Sequence, residues 1–96
     1  MVGEIVKTVY KYNEVVLTSG AKVTANEVTI QDGKVVNIPN GVATVEVNEQ
    51  MRSFNFSIYS YGVNGEVTYN LNNVPASVDG QAIVKEFVDF VEKDVA

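Results

Sequence analysis

Cysteine, histidine and tryptophan are all absent from this chain of 96 residues. Without cysteine there can be no disulfide and no thiolate metal site, a usage that fits a reducing compartment or a virus particle. Without histidine and cysteine, the commonest general base and the strongest nucleophile are missing. Positive charge is also scarce. Seven basic residues stand against twelve acidic ones, the formal net charge is −5, and Arg52 is the one arginine. A nucleic-acid surface needs clustered positive charge to displace phosphate counterions, so no nucleic-acid partner is expected. Long apolar runs are missing too. From Met1 to Val15 the apolar positions are interrupted by Glu4, Lys7 and Lys11. This pattern is neither a signal peptide nor a membrane span. The expectation is a soluble, unprocessed protein of the cytoplasm or a virion, with no membrane partner. No linker, charge block or low-complexity run divides the chain, so residues 1–96 read as a single domain.

Familiar catalytic arrangements are equally absent. A serine or threonine nucleophile would need a lysine or carboxylate base beside a strained Gly-x-Ser-x-Gly turn, and the chain has no such turn. It has no phosphate-binding loop, dinucleotide fingerprint or EF-hand spacing. Glu46 and Glu66 are the strand carboxylates that could converge as a glycosidase pair. Strand alternation points both away from the apolar side, which makes them solvated surface. No enzyme activity, cofactor or metal is expected.

What is abundant is strand chemistry. Short runs of valine, threonine, isoleucine and tyrosine alternate with Gly, Asn and Asp. Turn signals stand at Gln31-Asp32-Gly33, Pro39-Asn40-Gly41 and Val63-Asn64-Gly65, because Asn-Gly and Asp-Gly accept the positive φ of tight hairpins. A two-residue loop at Asn64-Gly65 pairs Ile58 with Leu71, Ser60 with Tyr69 and Gly62 with Val67. A two-residue loop at Asn40-Gly41 pairs Ile38 with Ala43 and Val36 with Val45. At Asp32-Gly33 a three-residue loop with a glycine bulge sets Val28 against Val36. Together these registers define one inner face: Val28, Ile30, Val36, Ile38, Ala43, Val45, Val47, Phe54, Phe56, Ile58, Val67, Tyr69 and Leu71. The segment from Val47 to Phe54, which carries Asn48, Glu49, Gln50 and Met51, reads as a further turn, and Thr18 to Ala21 as a loop. Near the N-terminus, Ile5 to Tyr12 reads as strand, since β-branched residues dominate. Val15 to Leu17 either continues it or follows a turn at Asn13-Glu14.

Toward the C-terminus the period changes. Ile83, Val84, Phe87, Val88, Val91 and Val95 recur at three- and four-residue steps, with charged residues opposite, which predicts an amphipathic helix. Phe90 falls at the flank of this stripe, and Asp79 is the expected N-cap. The fold expected is therefore α+β: an antiparallel meander of about six strands with one C-terminal helix packed on its inner face. A small β-sandwich or barrel plugged by the helix is the alternative.

The stretch FNFSIYSY, residues 54–61, carries the functional signal. Phe54, Phe56 and Ile58 share one face, while Tyr59 and Tyr61 lie on the other. Tyr10 and Tyr12 repeat the two-residue spacing in the first strand. Exposed aromatics beside Asn and Thr suit a protein interface or a stacked sugar ring. Tyr59, Tyr61, Tyr10 and Tyr12 are thus the candidate binding residues. The reading that follows is a structural or assembly module, for example a small component of a phage particle, contacting a protein partner or its own copies. The alternative is a module that binds a small ligand, carbohydrate or peptide.

Overall fold

In the computed structural model, residues 7–61 and 66–96 are described. Five strands, β1 (Lys7–Val16), β2 (Lys22–Gln31), β3 (Lys34–Val47), β4 (Gln50–Tyr61) and β5 (Glu66–Asn72), precede one helix, α1 (Gly80–Asp94). The strands form one sheet in sequence order, every neighbouring pair antiparallel. The α+β meander with its C-terminal helix is as expected, and the sheet is open.

The sheet has five strands rather than six because β3 runs straight through Pro39-Asn40-Gly41. The expected hairpin there is a bulge. Ile38 pairs with Ile58, but Gly41 pairs with Phe56, so β3 carries one residue more than β4 across the same span. Gly41 does not serve a positive φ. A Cβ at this position would lie 2.6 Å from Phe56 Cε1 and Cε2 and nearer still to Cζ, so the glycine admits the ring. The chain reverses later, at Asn48-Glu49, where φ is 50° and 64° and Val47 pairs with Gln50. Positive φ at both central residues is what a tight type I′ hairpin demands.

Asp32-Gly33 is a two-residue turn, with φ of 53° and 76° between the paired Gln31 and Lys34. The three-residue loop expected there is replaced by this turn plus a bulge just beyond it. Ile30 pairs with Val35 and Thr29 with Asn37, which leaves Val36 over. Val35, 5% exposed, therefore takes the inner position expected for Val36. In the last hairpin, Ile58 pairs with Tyr69, Phe56 with Leu71 and Ser60 with Val67, two residues away from the expected register. The last pair is Tyr61 with Glu66, so the connection spans residues 62–65 rather than Asn64-Gly65 alone. Gly62 and the Asn64-Gly65 loop itself lie outside the described residues. A two-residue slip keeps every side chain on its face, so the inner face survived this error.

Strand β1 is continuous from Lys7, and Ile5 lies outside the described residues. Of the two readings of the next segment, the strand continues to Val16, and Asn13-Glu14 holds a bulge rather than a turn. Glu14 has φ of 50°, and its N–H donates to Thr24 Oγ1 at 3.1 Å instead of to the ladder. The loop at Thr18–Ala21 is closed by Leu17 N–H to Ala21 O at 2.8 Å and Gly20 N–H to Leu17 O at 2.9 Å.

The register aligns one row across the inner face: Tyr12, Ala25, Gly41, Phe56, Leu71. Its centre is small and its flanks are large. Phe87 of α1 sits between those flanks, edge-on to Tyr12 at 5.9 Å and to Phe56 at 6.1 Å between ring centroids. Edge-to-face contacts suit the charge distribution of aromatic rings. Val84, Phe87 and Val91, three and four residues apart, are wholly buried, as the helical stripe predicts. Asp79 caps the helix, with Oδ1 accepting from Ala82 N–H at 3.1 Å. Burying each such apolar side chain stabilises the fold by about 1.5–3 kcal/mol before entropy is counted.

Candidate functional site: the open face and edges of the sheet

Helix α1 covers the inner face, and no described element covers the outer one. The pairings place Thr24, Val42, Asn55 and Asn72 in one outer row and Thr29, Asn37, Tyr59 and Thr68 in another. Ser57 lies beside Asn70, and Thr44 beside Ser53, with their hydroxyls 3.0 Å apart. The centre of this surface is uncharged and rich in short hydroxyl and amide side chains. Apolar residues rim it. Val9, Val16 and Met51 are 60%, 63% and 61% exposed.

The four tyrosines named from sequence do not converge. Tyr59 is half-buried on the outer face, between Asn37 and Thr68. The sequence register gave it Asn70 as neighbour, and the two-residue slip changes that. Tyr61 pairs with Glu66 rather than Thr68, and its side chain lies outside the described residues. Tyr10 and Tyr12 stand on the inner face at the far edge, opposite Val28 and Ala25. Their rings are 6.3 Å apart.

Tyr12 is a structural anchor. It is buried, packs against Phe87 and Phe90, and donates its hydroxyl to Asp94 Oδ2 at 2.7 Å. Burial above all, and then the Asp94 carboxylate, raise its phenol well above the ordinary value. Tyr69 is raised likewise, by burial and then by Glu92 and Asp89.

Sequence reading missed the task of the helix carboxylates. Three of them reach back to the sheet instead of simply facing water. Glu86 Oε2 accepts from Thr18 N–H at 2.8 Å and from Thr18 Oγ1 at 2.6 Å. Glu92 Oε2 accepts from Val35 N–H at 3.0 Å, and its Oε1 lies 3.9 Å from Lys34 Nζ. Asp94 holds Tyr12. The Thr18 hydroxyl and amide hold the Glu86 carboxyl below its ordinary value despite some desolvation. Only the regular spacing of acids on a helix could have hinted at this, and it looks the same as a solvated face.

Glu46 and Glu66, the conceivable carboxylate pair, align with Met51 and Tyr61 at opposite ends of β4. At about 3.3 Å per residue, that separation is far beyond the roughly 5–9.5 Å a glycosidase pair needs. Among the described residues no three His, Cys, Asp or Glu side chains group as metal ligands. No helix among them is long and apolar enough to cross a membrane.

The two edges differ. Strand β1 pairs only with β2, with two register irregularities, and carries Lys7, Lys11 and Glu14. Strand β5 pairs only with β4, in seven unbroken steps, and is uncharged after Glu66. Among the described residues, fold and surface define a helix-backed antiparallel sheet with one open face and two edge strands, each paired on one side. Comparison with known proteins finds no matching family model, no matching curated protein and no matching solved structure.

Proposed function

We propose that this chain is a non-enzymatic assembly module, a small structural component that contacts protein partners or its own copies, as in a virus particle. The observation that carries the reading is the open sheet among the described residues: one face backed by α1, the other uncovered, and both outer strands paired on one side only. Unpaired strand edges offer ready-made hydrogen-bond templates to another chain. Exposed Val9, Val16 and Met51 add apolar area at the rim. The test is absolute molar mass by light scattering over a wide concentration range. A defined oligomer supports the reading, and a mass of 10.5 kDa throughout speaks against it.

A second reading is favoured by one feature, the row of Thr29, Asn37, Tyr59 and Thr68 on the open face. An aromatic ring flanked by hydroxyl and amide groups suits a carbohydrate or an extended peptide. Glycan-array binding that vanishes in Tyr59→Ala supports this alternative. Binding that is unchanged removes Tyr59 from it.

A further inference from the structure

Resting on the assembly reading, we propose that β5 is the edge that associates, and that its partner is β5 of a second copy, antiparallel, which joins two sheets into one of ten strands. The contrast between the edges selects β5. Proteins guard exposed edges with bulges, charges and proline. Strand β1 has the Glu14 bulge, a second irregularity near Lys11, and three charged residues. Strand β5 has no bulge, no proline and no charge between Val67 and Asn72. It is also seven residues of regular strand, enough for a self-pairing ladder. Helix α1 packs on the inner face, against β3 and β5.

The sequence of β5 is self-complementary about Tyr69. With a two-fold axis perpendicular to the sheet and midway between Tyr69 and its facing copy, Val67 stands opposite Leu71 of the second copy. Thr68 stands opposite Asn70, and Glu66 opposite Asn72. Apolar residues therefore meet apolar residues on the helix side, and hydroxyl meets amide on the open side. No like charges face each other, and each residue keeps its own face, as a continuous sheet requires. Val67, 40% exposed in the single chain, gains a cross-strand neighbour. Apolar and hydroxyl–amide pairs of this kind are the stabilising unit of a sheet. Each copy carries a net charge of −5, so added salt strengthens the association by screening.

The test compares the unaltered chain with two β5 variants by light scattering, with circular dichroism to confirm that each is folded. The unaltered chain is expected to rise from 10.5 kDa to twice that mass with concentration, more readily at high salt. Thr68→Lys with Asn70→Lys sets like charges opposite each other twice across the axis, and should weaken association by roughly tenfold or more. Thr68→Lys with Asn70→Glu sets opposite charges there and should restore it. A monomer at every concentration overturns the proposal along with self-assembly. If the unaltered chain associates but the two-lysine variant associates equally well, β5 is not the contact, while the assembly reading stands. Equal loss in both variants overturns the register about Tyr69.

Discussion

The two long sides of this molecule are built differently. On the β1 side the helix is fastened to the sheet by Tyr12, whose hydroxyl reaches Asp94 and whose ring meets Phe87 and Phe90. The adjoining loop donates twice to Glu86. The strand is bulged and charged. On the β5 side the ladder is regular and the edge is plain. The polar ties to the helix lie on the β1 side, whereas β5 meets the helix through apolar packing and keeps a regular, uncharged outer edge. Stability should therefore fall steeply when the β1 side and centre are altered, while changes at the exposed β5 residues Thr68 and Asn70 should alter association and leave folding almost untouched.

The largest effect should come from the ring that joins centre to margin. Phe87→Ala removes a wholly buried side chain from between Tyr12 and Phe56. Such truncations cost about 3–5 kcal/mol, a large share of a small domain's stability, and urea titration would read it. Next comes Gly41→Ala, which drives a methyl into the Phe56 ring and should cost about 1–3 kcal/mol. Adding Phe56→Leu should recover part of that loss, and a double-mutant cycle would show the coupling.

Tyr12→Phe should cost about 1 kcal/mol by removing one charge-assisted hydrogen bond. It should also change the alkaline limb of stability. The folded chain holds the Tyr12 proton more tightly than the unfolded chain does. That contribution is intact below the ordinary tyrosine value of about 10 and is lost as pH rises beyond it. Melting curves from pH 8 to 11 should fall less steeply for the phenylalanine variant. Glu86 behaves oppositely. Its folded value is lowered, so its contribution is present above its ordinary value of 4.5 and fades as pH drops through the folded one. The melting difference between the unaltered chain and Glu86→Ala should shrink on acidification. Smallest of all should be the stability change of Thr68→Lys with Asn70→Lys, within about 0.5 kcal/mol.

Much of this fold was legible in the sequence because face identity is robust. Phe54, Phe56 and Ile58 are all buried on one side, although the partners assigned to Ile58 and Ser60 were two residues off. The helix and its Asp79 cap followed from period and cap chemistry alone. Asn40-Gly41 misled because that dipeptide signals a backbone able to turn, whereas here the glycine is required by a ring on the neighbouring strand. That is a contact between distant residues, and no local pattern encodes it. Val35 and Val36 were exchanged for a related reason, since a bulge moves parity by one. That Tyr59 lies on the face opposite Phe54, Phe56 and Ile58 was legible from FNFSIYSY, but whether another layer covers that face was not. The separation of Tyr10 and Tyr12 from it was not, because their face depends on bulges in β1 and β2.

Hydrogen–deuterium exchange of the unaltered chain, followed at low and high protein concentration, tests the contrast between the edges most directly. Backbone amides pointing out of an edge exchange readily until another strand pairs with them. The account predicts that the outward-pointing amides of β5 between Val67 and Asn72, alternate residues in an antiparallel edge strand, gain protection as concentration rises, while those of β1 from Thr8 to Val16 stay unchanged. Protection gained in β1 instead, or no concentration dependence at either edge, would contradict it.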